Sequence, residues 1–225
     1  MKFLRCLFGV CRKDLLSELR KREILNTILF FSVVIIFLFS FALGTDPELL
    51  KKIAPGLLWL VVLFSAVLSL ERSFQAEVEE GCLDRLVLYC VSHRALFLGK
   101  LLTNFIFILI VQAAVFFMMT ILFGLESPKD GKLLWSTLIL GDLGISTLGT
   151  FYAALITKTR SRQVMMPLLL FPMLTPLLLA AVYATQSALE GTLFSGSIVW
   201  VKMLIIFDTI FLPACLIAVG PVLED

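Results

Sequence analysis

Six runs of nearly uninterrupted apolar residues constrain this chain more than any other feature. A helix needs roughly 20 apolar residues to cross a hydrocarbon core of about 30 Å. The runs cover residues 24–43, 54–70, 95–123, 133–156, 164–184 and 198–222, and the first carries no charge. Turn-forming clusters separate them. Gly44-Thr45-Asp46-Pro47 divides the first two, and residues 126–132, with Pro128 and Gly131, divide the third and fourth. Pro55 reads as a first-turn proline opening the second run. The composition agrees: 60% of residues are hydrophobic and 16% charged, against about 45–50% and about 25% in soluble domains. Nothing remains for a second, soluble domain. The predicted fold class is an all-α membrane protein: one domain over residues 1–225, six transmembrane helices preceded by an N-terminal interfacial amphipathic helix. A net charge of +2 is too small to suggest nucleic acid as a partner.

Orientation follows from lysine and arginine, which cytoplasmic loops retain. The N-terminal segment, the second-to-third connection and the fourth-to-fifth connection together hold fourteen of them; the opposite side holds five, Lys51, Lys52, Lys129, Lys132 and Lys202. Both termini are therefore predicted to be cytoplasmic. Trp59, Trp135 and Trp200 read as an aromatic belt at the outer ends of their spans. The first apolar run begins only at Ile24 and has no A-x-A-like cleavage site, so it is expected to be a permanent span rather than a leader.

Two cytoplasmic pieces carry pattern. In residues 2–22, Leu4, Leu7, Phe8, Cys11, Leu15 and Leu19 recur at helical spacing, as in a basic helix lying in the headgroup plane of the bilayer. Asp14 and Glu18 fall on or beside its apolar face, near Arg20. They either pair with Lys21 or Arg22 or meet a protein partner. The second piece is the long loop from Glu71 to Arg94. Phe74, Val78, Cys82 and Leu86 recur every four residues beside the acidic run Glu77, Glu79 and Glu80, which predicts a short amphipathic helix over 74–90. Such an element, tied at both ends to spans, could pass a push from a soluble partner into the membrane; the plainer reading is a surface helix that returns the chain.

Several chemistries lack their residues. Gly99-Lys100 and Gly131-Lys132 are each followed by leucine, with none of the glycine spacing of a phosphate-binding loop, so any ATP-driven work must come from another subunit. The single histidine, His93, reads as a solvated loop residue, and no C-x-x-C-H haem attachment motif occurs. The five cysteines lack metal-ligand spacing and read as small apolar residues. No catalytic constellation is present, and the chain reads as non-enzymatic. Two acids lie inside spans: Asp142, flanked by Gly141 and Gly144, and Asp208, followed by Thr209 and Pro213. A carboxylate there costs about 2.5–3.5 kcal/mol on insertion scales and needs an interior partner or a polar cavity. Either they relay protons or ions, or they hydrogen-bond helix to helix, the reading favoured by the absence of a nearby cation at membrane depth. Pro167, Pro172 and Pro176 predict a kinked or broken fifth helix. Residues 186–197 read as either a loop or a short re-entrant helix.

With these residues in view, the chain resembles the haem exporter protein B (CcmB) family, the membrane subunit of an ABC transporter of cytochrome c maturation. The resemblance rests on residues 13–20, on Ala54-Pro55-Gly56-Leu57-Leu58-Trp59, and on Leu70-Glu71-Arg72-Ser73-Phe74 with Glu77, Glu80 and Gly81. It continues through residues 98–101 and 167–172, Phe207-Asp208 with Phe211, and the terminal Leu223-Glu224-Asp225. One departure is Tyr89-Cys90-Val91, where the family is expected to have a small residue and proline. The resemblance implies an ABC-2-like permease in the bacterial inner membrane, paired with a cytoplasmic ATPase, CcmA, and working with CcmC, CcmD and the haem chaperone CcmE. The ATPase would dock on residues 74–90. The ATPase-coupling residues are then Glu71, Arg72, Phe74, Glu77, Glu80, Gly81, Leu83, Asp84 and Leu86. A second copy of the chain is a further candidate partner. No tryptophan-rich segment or paired outer-face histidines are present, so haem is expected to be held by the complex rather than by this subunit directly. The alternatives are an ABC-2-like exporter permease for a lipid or polysaccharide and, in a different class, a secondary transporter using Asp142 and Asp208 as relays.

Overall fold

The computed structural model describes every residue except 1, 22, 45–46, 80–92, 126, 157–161, 192–196 and 225. The described residues form helices: α1 (Lys2–Lys21), α2 (Glu23–Leu43), α3 (Pro47–Glu79), α4 (His93–Phe123), α5 (Gly131–Leu155), α6 (Arg162–Glu190) and α7 (Ser197–Glu224). The last six each contain a stretch long and apolar enough to cross a membrane. The chain is an all-helical, multi-pass membrane protein.

Helix boundaries follow local chemistry. Pro47, the last residue of the breaker cluster, opens α3, so Pro55 lies inside the helix and not in its first turn as expected. Asp130 caps α5: its side chain accepts from the Leu133 amide at 3.1 Å, satisfying one of the orphan donors of the first turn. α4 ends at Gly124, whose φ of 57° lets the Leu125 amide turn back to the Thr120 carbonyl at 3.2 Å. α6 runs unbroken through Pro167, Pro172 and Pro176, so three prolines did not break the helix. It ends at Glu190, with Gly191 in the left-handed region just beyond. The region 186–197 is thus helical through Glu190, and 192–196 lie outside the described residues.

α3 and α5 form the middle of the bundle. Their spanning windows are 72% and 67% buried, against 17–33% for the other four. α5 packs against α3, α4, α6 and α7, and its glycines allow the close approach. A Cβ at Gly141 would strike the Trp59 ring of α3, one at Gly144 the Leu177 side chain of α6, and one at Gly149 the Leu70 side chain of α3. The outer helices turn large apolar side chains outwards, among them Phe30, Phe41, Phe117, Leu168 and Ile217. That is the exterior a hydrocarbon solvent requires.

The tryptophan belt needs correction. Trp135 is exposed, and Trp200 stacks on Tyr183 with ring centroids 4.8 Å apart. Trp59, however, is 1% exposed and donates its indole N–H to Thr185 Oγ1 at 2.9 Å. It lies twelve residues along α3, about 18 Å from the helix start, and serves as a core residue rather than an interfacial anchor.

Candidate functional site

The first constellation is the seat of α1. Leu7, Val10, Cys11 and Asp14 recur at helical spacing; Val10 and Cys11 are buried, while Phe8 and Leu16 remain exposed. The buried face is rotated from the leucine-rich stripe of the sequence because the neighbouring helix offers a glycine. A Cβ at Gly99 of α4 would lie 3.0 Å from Val10 Cβ and 3.1 Å from the Leu7 carbonyl oxygen. Beside it Lys100, 1% exposed, donates from Nζ to Asp14 Oδ2 at 3.2 Å. Lys13 Nζ lies 3.5 Å from the other carboxylate oxygen. Asp14 thus meets a cation from a transmembrane helix of its own chain. The sequence had left Asp14 either to pair with Lys21 or Arg22 or to meet a protein partner. A buried lysine of a span, with a half-buried carboxylate opposite, ties α1 to α4. Glu18 and Arg20 lie further along α1.

The second constellation is the segment between α3 and α4. Glu71, half-buried, and Arg72, Phe74 and Glu77 all lie within α3, which continues without interruption to Glu79. The element expected over 74–90 therefore begins as an extension of the second span rather than as a separate helix. Glu80, Gly81, Leu83, Asp84 and Leu86 fall outside the described residues. α4 begins at His93, seven residues before Lys100. The segment and the α1 seat therefore share one end of the bundle.

The third constellation is polar and deep. Asp142 is fully buried and Asp208 is 7% exposed, and among the described residues no hydrogen-bond partner reaches any of their four carboxylate oxygens. The expected helix-to-helix hydrogen bond is not made among the described residues. The two acids do not face each other across α5. Asp208 Oδ1 of α7 lies where a Cβ at Gly144 would be only 2.9 Å away, and Asp142 sits two residues earlier, about 200° round the helix. Ser146, one turn on from Asp142, and Gln112 of α4 are also buried, with Ser146 Oγ and Gln112 Nε2 unpartnered among the described residues. Asn104 of α4 donates to Thr150 of α5 at 2.9 Å. Counting eight residues from each partner brings Gln112 level with Asp142, about 12 Å along two antiparallel helices. The middle of the bundle thus holds buried polar groups that have no hydrogen-bond partner among the described residues.

Sequence reasoning missed Lys100, Asn104, Gln112 and Thr185. The signal for three of them was present: Lys100, Asn104 and Gln112 stand four and twelve residues apart in an otherwise apolar run, and polar groups in a span turn inwards. Among the described residues no group of three or more histidine, cysteine or acidic side chains is placed to hold a metal.

The comparisons with known proteins agree with one another. The family model described as CcmB protein matches residues 5–219. Heme exporter protein B of Pseudomonas aeruginosa is 32% identical over 185 residues, covering 82% of each chain. The protein of the same name from Rhodobacter capsulatus is 34% identical over 165 residues, 72% of this chain and 73% of its own. That of Haemophilus influenzae is 29% identical over 193 residues, 84% and 85%.

Proposed function

The chain belongs to the CcmB protein family, and from that premise we propose that it is the membrane permease subunit of an ABC-type haem-export machine of cytochrome c biogenesis. It sits in a bacterial inner membrane with both termini in the cytoplasm. A separate ATPase, CcmA, drives it, and CcmC, CcmD and the chaperone CcmE complete the machine. This subunit passes the ATPase stroke on, ending in haem export or release of the haem-loaded chaperone. The observation that carries the reading is the likeness, over most of the chain, to curated relatives named heme exporter protein B.

The geometry supports a transmission role in three ways. α3 projects to Glu79 beyond its apolar run, α4 starts close after the segment 80–92, and α1 is pinned to α4 through Lys100 and Asp14. A load applied to that segment reaches α3 directly, and through α4 it reaches α1. α3 in turn holds α5 through Trp59 against Gly141 and Leu70 against Gly149.

Replacing Glu80 and Asp84 together by lysine tests the coupling assignment. The expected result is loss of ATPase co-purification with the membrane part still folded, as read by its helical circular dichroism. Normal co-purification and normal cytochrome maturation would remove residues 74–90 from the docking surface.

A further inference from the structure

At the end of the bundle away from α1, a cavity of about 510 Å³ opens where α3 begins, α4 gives way to α5, and α6 ends. Its lining divides by chemistry. Leu49, Leu125 and Leu189 form an apolar part; the charged part holds Lys51, Lys52 and Lys129 with Glu48 and Glu190. The carboxylates are engaged elsewhere. Glu48 lies 4.0 Å from Lys51 Nζ, and Glu190 accepts from Gln186 Nε2 at 2.9 Å. Lys52 and Lys129 make no ion pair among the described residues. The walls are joined to each other, since the Asp130 amide donates to the Ala188 carbonyl at 3.2 Å. Gly191, at a φ of 66°, lets the aliphatic shaft of Lys129 lie against the backbone, where any Cβ would collide with it.

Leu125 and Leu189 also border a small apolar gap of about 10 Å³ beside Pro55, Leu58 and Thr185, so the cavity's apolar wall is backed by further apolar side chains. The apolar stretch of α3 starts at Glu48, so the cavity lies at the level where headgroups meet acyl chains. Lysines beside an apolar wall suit neither a free ion nor a plain hydrocarbon.

We propose that this cavity binds an anionic amphiphile, its phosphate or carboxylate head held by Lys52 and Lys129 and its apolar body laid on Leu125 and Leu189. This goes beyond the transport reading and does not depend on it.

The test uses the full chain purified in a neutral detergent, with bound amphiphile counted by native mass spectrometry. Phosphatidylglycerol is expected to bind one per chain and phosphatidylcholine far more weakly. K52Q/K129Q should weaken phosphatidylglycerol binding about tenfold or more, since each lost charged contact is worth a sizeable part of that factor. Displacement of phosphatidylglycerol by laurate at comparable concentration would extend the site to soluble amphipathic carboxylates; resistance to laurate would restrict it to lipid. Either result supports the proposal. Leu125→Asn, which makes the apolar wall polar and keeps both lysines, supplies an independent variant and should also weaken binding. Equal retention of the two lipids, binding indifferent to K52Q/K129Q, or displacement by millimolar inorganic phosphate would overturn the proposal.

Discussion

Lys100 and Asp14 show what a single pair decides. An ammonium at 1% exposure, with a carboxylate oxygen at 3.2 Å, is tolerable only while the partner stays. Asp14→Ala takes a carboxylate away from a buried ammonium and should cost about 1.5–3 kcal/mol, whereas D14L/K100M together should come closer to neutral. The readout is maleimide labelling of buried Cys11 in a chain whose Cys6, Cys82 and Cys90 are replaced by serine. Labelling should speed up in D14A and return in the double variant, with buried Cys215 unaffected. The acids at depth predict the opposite sign. Asp142 carries an insertion cost of about 2.5–3.5 kcal/mol with no hydrogen-bond partner among the described residues to offset it, so Asp142→Leu should raise the melting temperature in detergent and lower cytochrome maturation. A raised melting temperature with normal maturation would remove Asp142 from the transport pathway.

At the level of elements, helix type and membrane crossing were legible because each apolar run is long and nearly free of charge. α1 was legible as an amphipathic helix, but its buried face was not. Hydrophobic spacing ranks Phe8 with Cys11; only the position of Gly99 on α4 reveals that Val10 and Asp14 turn inwards and Phe8 turns out. Gly99→Leu should therefore undock α1 and cost about 1–3 kcal/mol as overpacking does, seen as faster Cys11 labelling in the same cysteine background. Gly56→Ala, where no atom lies within 4 Å of an added Cβ, should change nothing. Of the two outcomes that the prolines of α6 predict, a kink or a break, the break does not occur. Each removes a backbone donor, yet the helix continues through all three. In a bundle surrounded by lipid, a continuous helix still satisfies more backbone groups than a broken one.

For the whole molecule, six crossings predict both ends on one side, and the charge asymmetry predicts that this side is the cytoplasm. Reporter fusions at residue 1 and residue 225 should both be active as cytoplasmic enzymes and inactive as exported ones. One fusion on each side would mean that a span had been miscounted. What the sequence by itself determined is the solvent and the helices, because hydropathy over about 20 residues is a local sum that needs no knowledge of neighbours. It also determined the family, through short polar blocks held in order. Only the tertiary structure decided which helices are central, that Trp59 belongs to the core, that Asp14 belongs to Lys100, and that Asp142 and Asp208 face away from each other. Those are questions of rotation and register between helices. A lipid exterior as apolar as the interior leaves little hydrophobic asymmetry in the sequence from which to read them.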